Sequence, residues 1–405
     1  MKRVIGPFKQ ILTLRGLPIR GALMDQDLDI VDDGAIVVEG SSIYDVISWK
    51  DRDSTMEIEE VDRTLVALPG FIDSHTHLCW GGNRAHDYAL RVSGATYQEI
   101  LKKGGGIYDT VKKTTAATRE ELLASLKKRM DRLVTEGVTT VEIKSGYGLG
   151  IEEELKILEV IIEVGGAHHC DVVSTCLAAH VCPPEFKDPT KYLKLLTKEL
   201  FPRLKDNSLA DRIDIFVEEG AFNSEISRSY LSEARTWGFD LTVHADQFSV
   251  GGSQLAVDLR ALSADHLEAS GENEIKSLGA SDTVATVLPG ASLGLGMSFA
   301  PARKLLDAGA ILSIASDWNP GSAPMGDLLL QAAVLGAAEK LTTAETFAGI
   351  TFRAARALGM TDRGVLQTGM KADLIGFDVD DFREILWNQG KVKPAKIWKN
   401  GIALR

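Results

Sequence analysis

Residues 68–82 read LPGFIDSHTHLCWGG. An apolar, β-rich run passes through Pro-Gly and ends on His75-Thr76-His77. In an extended strand, residues i and i+2 point to the same side, so both imidazoles can reach one point. Two histidines at the end of a buried strand ask for a fold that gathers strand ends, and the neighbouring sequence supplies one.

From about residue 66 to 360 the chain alternates between two patterns. Apolar β-rich runs occur at Leu65–Ile72, Thr139–Ile143, Asp171–Leu177, Arg212–Val217, Leu241–Val243, Ala261–Ala264, Thr283–Leu288 and Ala310–Ala315. Several are continuously apolar, as buried parallel strands tend to be. Between most of them lie helical patterns such as REELLASLKKRMDRLVTEG, EEELKILEVIIEVGG and SEISRSYLSEARTWG. These place apolar residues at three- and four-residue steps and carry Gly near the end, where a helix cap needs it. Eight βα units predict an α/β chain with a TIM-like (β/α)8 barrel over 66–360. An open doubly wound sheet is the competitor, but neither GxGxxG nor GxxxxGK[ST] is present to serve its usual ligands.

The two ends differ from the middle. GAIVVEGSSIYDVI (Gly34 to Ile47) reads as a hairpin, and AKIWKNGIAL carries Asn-Gly at a turn. Residues 1–65 and 361–405 are therefore expected to build one small β-sandwich domain from both termini.

Bulk properties narrow the class. A net charge of −12 argues against nucleic-acid or anionic-membrane partners. The four cysteines, Cys79, Cys170, Cys176 and Cys182, form no CxxC pair and are too few for a disulfide scaffold. The N-terminus lacks the apolar core of a signal peptide, and no apolar stretch approaches a membrane span. A cytoplasmic protein is the expectation.

In a barrel the chemistry sits where strands end. The third strand leads to His180, the fifth ends in His244-Ala245-Asp246-Gln247, the sixth in Asp265-His266, and the eighth in Asp317. A single histidine at a strand end is more often a hydrogen-bonded or surface residue than a ligand. The other three histidines are His86, His168 and His169, of which His168 and His169 read as surface residues. HxH joined by a later His and a later Asp, each at a strand terminus, is a stronger pattern. Neutral imidazoles with one carboxylate suit Zn²⁺ or iron and leave a position for water.

The motif PGFIDSHTHL, with GMKADLIGFD near the C-terminus, resembles the amidohydrolase superfamily of metal-dependent barrel hydrolases. The resemblance covers almost the whole chain. FIDSHTHLCWGGNRAHDY, GGGIYDTVKKTTAAT, EIKSGYGL, AAHVCPPE, HADQFS and SDWNPGS narrow it to the imidazolonepropionase family, which opens a five-membered imidazolone ring in histidine degradation. It implies His75, His77, His244 and Asp317 as ligands of one Zn²⁺ or Fe²⁺/Fe³⁺ per chain. It also implies substrate contacts from Arg84, Tyr97, Tyr147, His180 and Asn319, and a homodimer. Ser322 and Gly321 sit in a Gly-containing loop where backbone can approach a ligand closely, and Gln247 is expected to serve both catalysis and substrate binding. The expected chemistry is attack of metal-activated water on the ring carbonyl, with Asp317 or a neighbour near the water accepting a proton and His266 stabilising the oxyanion.

Each residue has a plainer alternative. Arg84 could be a surface arginine paired with Asp87, and Tyr97 could lie on the apolar face of a helix. Gly104-Gly105-Gly106 lacks the Lys-Ser/Thr sequel of a phosphate loop, so a flexible loop or lid is expected. Deaminases of the superfamily place Glu where this chain has Gln247, which can hydrogen-bond a ring amide but cannot take up a proton. The rivals are another cyclic-amide hydrolase or a deaminase on the same fold, and a non-catalytic scaffold.

Overall fold

The computed structural model describes residues 2–95, 99 and 103–404. Eight parallel strands follow one another around a barrel: Phe71–Asp73, Val138–Lys144, Asp171–Ala179, Arg212–Val217, Asp240–Ala245, Ser263–His266, Val284–Val287 and Leu312–Ile314. Each pairs in parallel with the next. The helical patterns fall between them as read, at Arg119–Thr135, Ile151–Ala167 and Ser224–Thr236. The first of these opens with a capping box, in which Thr118 and Glu121 satisfy each other's backbone N–H. It buries Leu122, Leu126, Met130 and Leu133 against the barrel, each worth about 1.5–3 kcal/mol. It ends at Gly137, whose φ of 94° suits glycine.

The seam between the eighth and first strands is closed by a different set of bonds. Ser316 N donates to Asp73 Oδ1 at 2.9 Å, and the hydroxyls of Ser74 and Ser313 meet at 2.9 Å. Beyond the strands, Asp317 N donates to the His75 carbonyl and His77 N to the Trp318 carbonyl, each at 3.0 Å. The barrel is thus shut by the same residues that carry its histidines.

Both termini share a second sheet. Lys2–Leu12 pairs antiparallel with Ile30–Glu39, which forms the expected hairpin with Ser42–Ser48. Leu374–Asp378, Lys396–Lys399 and Ile402–Ala403 complete the other side, turning at Asn400-Gly401 with φ of 51° and 76°. The sheet curls until Ser42 bridges Lys371, enclosing Phe8, Ile36, Leu374 and Trp398.

One strand reads differently in three dimensions. The run Leu65–Ile72 divides at Gly70. Leu65–Pro69 pairs with Lys2–Leu12 and Leu374–Asp378 in the terminal sheet, and only Phe71–Asp73 enters the barrel. Periodicity cannot reveal this, because both halves are fully buried. The change of sheet needs glycine: a β-carbon on Gly70 would stand 2.3 Å from Thr139 Oγ1.

Trp398 is fully buried, packs edge-on against Phe8 and donates its indole N–H to Glu59 at 2.7 Å. Trp398→Ala should cost about 3–5 kcal/mol of stability, read as a lower midpoint in equilibrium urea unfolding.

Candidate metal centre

His75 and His77 lie just past the first strand, and His244 lies in the fifth. Their ring nitrogens form a buried cluster within 4.8 Å of one another. His77 Nε2 and His244 Nε2 face each other at 3.3 Å. Asp317 Oδ1 stands 3.7 Å from His75 Nε2 and 3.5 Å from His77 Nε2. His75 Nε2 has no hydrogen-bond partner among the described residues, although it is buried.

The opposite ring nitrogens are held from behind. His75 Nδ1 meets Asp265 Oδ2 at 2.7 Å, and His244 Nδ1 meets Asp214 Oδ2 at 2.9 Å. With a carboxylate on each Nδ1, the proton sits there and the Nε2 lone pair is free to bind a cation. Burial first, and neighbouring positive charge after it, push the His75 and His77 imidazoles well below their usual range. Burial also lowers His244, despite Asp214. Three neutral imidazoles aimed at one point beside a carboxylate fit a single zinc or iron ion.

Behind the cluster lies a group of charges that sequence reading missed. Lys144, at the end of the second strand, is fully buried, with Nζ 2.7 Å from Glu142 Oε1, 2.9 Å from Asp214 Oδ2 and 3.8 Å from Asp265 Oδ2. Burial disfavours its charge, but the three carboxylates outweigh that and raise its pKa. Asp214 is held far below the usual carboxylate range: burial opposes this, and His244 and Lys144 overcome it. The signal was present in VEIK, RIDIF and ADH, where charged residues interrupt apolar strands.

The remaining predicted residues surround the cluster. His180 stacks on His77 with centroids 5.4 Å apart, and its Nδ1 donates to the Gly146 carbonyl at 3.1 Å. Burial holds it down at about 3, leaving Nε2 as an acceptor. Tyr147 lies 5.8 Å from the His77 ring, and burial keeps its hydroxyl protonated. His266 lies 5.3 Å from the His244 ring, with Nδ1 3.5 Å from Glu268 Oε2. Burial works against its charge, but Glu268 prevails and raises its pKa. Asp317 is pushed up to about 6 by burial, against the pull of His266. Gln247 is buried beyond the fifth strand.

Arg84 makes the ion pair with Asp87 given as its plainer alternative. Its Nε binds Asp87 at 2.7 Å, and its Nη1 reaches Gly321 on the loop after Asp317. Asn319 braces its own loop. Its Nδ2 donates to the Asp317 carbonyl at 2.7 Å and to Ser322 Oγ at 2.9 Å. Its Oδ1 accepts Gly321 N at 2.7 Å and Ser322 N at 2.8 Å. Ser322 Oγ lies 3.3 Å from Asp317 Oδ2. Tyr97 lies outside the described residues. Cys79 is packed at 1% exposure as a small apolar residue, and burial raises its thiol to about 12.

Lys144→Met would leave Glu142, Asp214 and Asp265 crowded without their cation. A loss of about 3–5 kcal/mol is expected in urea unfolding of the metal-free protein. A change below about 1 kcal/mol would show that the three acids do not depend on Lys144.

Residues 94–386 match the amidohydrolase family. The imidazolonepropionase of Deinococcus radiodurans is 39% identical over 396 residues, covering 98% of each chain. That of Shewanella pealeana is 40% identical over 388 residues, covering 92% of this chain and 93% of its own. Among solved structures, a triazine hydrolase variant superposes with a TM-score of 0.76 at 18% identity, covering 100% of this chain and 94% of its own. An adenosine deaminase from Xanthomonas campestris with bound zinc gives 0.73 at 17% identity, covering 99% and 92%. The structural likeness is one of fold, while the sequence identity over full lengths is closer kinship: the chain belongs to the amidohydrolase family and, within it, to the imidazolonepropionases.

Proposed function

We propose that this protein hydrolyses the ring amide of 4-imidazolone-5-propanoate, giving N-formimidoyl-L-glutamate. The observation that carries the reading is a juxtaposition. Asp317, beside His75, His77 and His244, leads into the loop whose Gly321 lies against Arg84 Nη1, and neither Nη group has a hydrogen-bond partner among the described residues. A guanidinium fork beside a hydrolytic cluster suits a ring that carries a carboxylate.

His75, His77, His244 and Asp317 would hold one zinc or iron ion, since nitrogen and oxygen donors accept both. When bound, such a metal lowers the pKa of a water and polarises a carbonyl oxygen. Arg84 takes the propionate through Nη1 and Nη2. The Tyr147 hydroxyl donates to the substrate, His180 Nε2 accepts from it, and the Gln247 amide pairs with the ring amide. Backbone at Gly321 and the Ser322 hydroxyl line the same loop. Asp317 accepts a proton from the attacking water at a carboxylate oxygen. As the water oxygen bonds to the ring carbon, His266 Nε2–H donates to the carbonyl oxygen that gains charge. Glu268 favours the protonated imidazole this requires. The ring C–N bond then breaks, and the proton held by Asp317 passes to the departing nitrogen. The homodimer and cytoplasmic setting that the resemblance implies belong to the same proposal. No helix among the described residues is long and apolar enough to cross a membrane.

His266→Ala should lower kcat by about 10²–10³-fold, the loss typical of one oxyanion donor, while bound metal stays near about one per chain. Turnover that survived the change would remove His266 from this role. Chelation should abolish turnover of imidazolone propionate, and adding back zinc or iron separately identifies the ion used. Guanine, cytosine and hydantoins should remain unhydrolysed; release of ammonia from the first two would point to a deaminase.

A further inference from the structure

Asp87 stands outside the mechanism above, yet its placement is unusual. One oxygen, Oδ2, accepts Arg84 Nε at 2.7 Å and the Gly106 backbone N–H at 2.9 Å. The carboxylate sits on the first turn of the helix Ala85–Val92, and its side chain is only 10% exposed. Because it engages Nε, it fixes the plane of the guanidinium without occupying either Nη group. The opposite face of Arg84 meets Gly321, where a β-carbon would stand 2.7 Å from Nη1.

Gly321 is itself fixed in position. Its N–H bonds Asn319 Oδ1 at 2.7 Å, and Asn319 Nδ2 bonds the Asp317 carbonyl at 2.7 Å. A chain of short bonds and one close contact therefore runs from Asp317, in the hydrolytic cluster, through Asn319 and Gly321 to Arg84 and Asp87. It sets the separation between the cluster and the guanidinium.

We propose that Asp87 and Gly321 are a specificity device: Asp87 is a positioning residue that orients the Arg84 fork, and Gly321 leaves the space the fork occupies. Together they set the length of the carboxylate arm that the ring may carry. The inference rests on the reading of Arg84 as the partner of the substrate carboxylate.

The test is steady-state hydrolysis of three imidazolones by the metal-loaded enzyme, its D87N, G321A and R84M variants. The substrates carry propionate, acetate or a methyl group at the same ring position. D87N keeps the shape of the side chain and loses the charge that grips Nε, a bond worth about tenfold or more in binding. Its KM for the propionate substrate should rise about tenfold, with kcat within about twofold and the methyl substrate unaffected. G321A should do the same by displacing Nη1, and should narrow the preference for propionate over acetate. Equal effects on acid and methyl substrates, or a fall in kcat in place of a rise in KM, would overturn the proposal, since general disruption acts that way. If D87N does not fold, G321A decides alone: an unchanged KM for propionate overturns the proposal. R84M separates the two readings. If it leaves the propionate KM unchanged, the assignment of Arg84 fails. If it raises that KM while the other two variants do not, only this inference fails.

Discussion

The site depends on how the barrel closes. Between the eighth and first strands the usual ladder gives way to two backbone bonds, from Asp317 to His75 and from His77 to Trp318. Asp317 has a φ of 49°, a strained value for an aspartate, so its place is dictated by the seam. Closing the barrel and bringing Asp317 to His75 and His77 are therefore one event. The carboxylate of the eighth strand and the imidazoles of the first cannot drift apart without opening the cylinder.

The electrostatics follow the same economy. At the mouth the imidazoles of His75, His77 and His244 are neutral, because burial makes their charged forms costly. One layer below, Lys144 is buried against the carboxylates of Glu142, Asp214 and Asp265. Two of those carboxylates also hold the Nδ1 protons of His244 and His75. The charged layer fixes the orientation of the neutral one, and the close pairing of its lysine with carboxylates is what permits it inside a barrel.

Much of this was legible in the sequence, because the signals were local. HTH at a strand end, the alternation of strand and helix, the capped helix before Val138 and the Asn-Gly turn each depend on neighbours along the chain. What escaped depends on neighbours in space. The division of Leu65–Ile72 between two sheets turns on the contact of Gly70 with Thr139. The brace made by Asn319 turns on the path of its own loop, and Lys144 acquires its role only when the closed barrel turns the second, fourth and sixth strands toward one interior.

The passage at Gly70 has a consequence for how the molecule is made. Leu65–Pro69 lies between Lys2–Leu12, which precedes it in the chain, and Leu374–Asp378, which follows the whole barrel. The segment that leads straight into His75 keeps one bare edge until that later strand has been made. During that interval an apolar strand is open to wrong partners. The protein's exposure to aggregation is therefore concentrated before the C-terminal strands arrive, and shortening the chain at that end would leave the histidine-bearing strand half-paired.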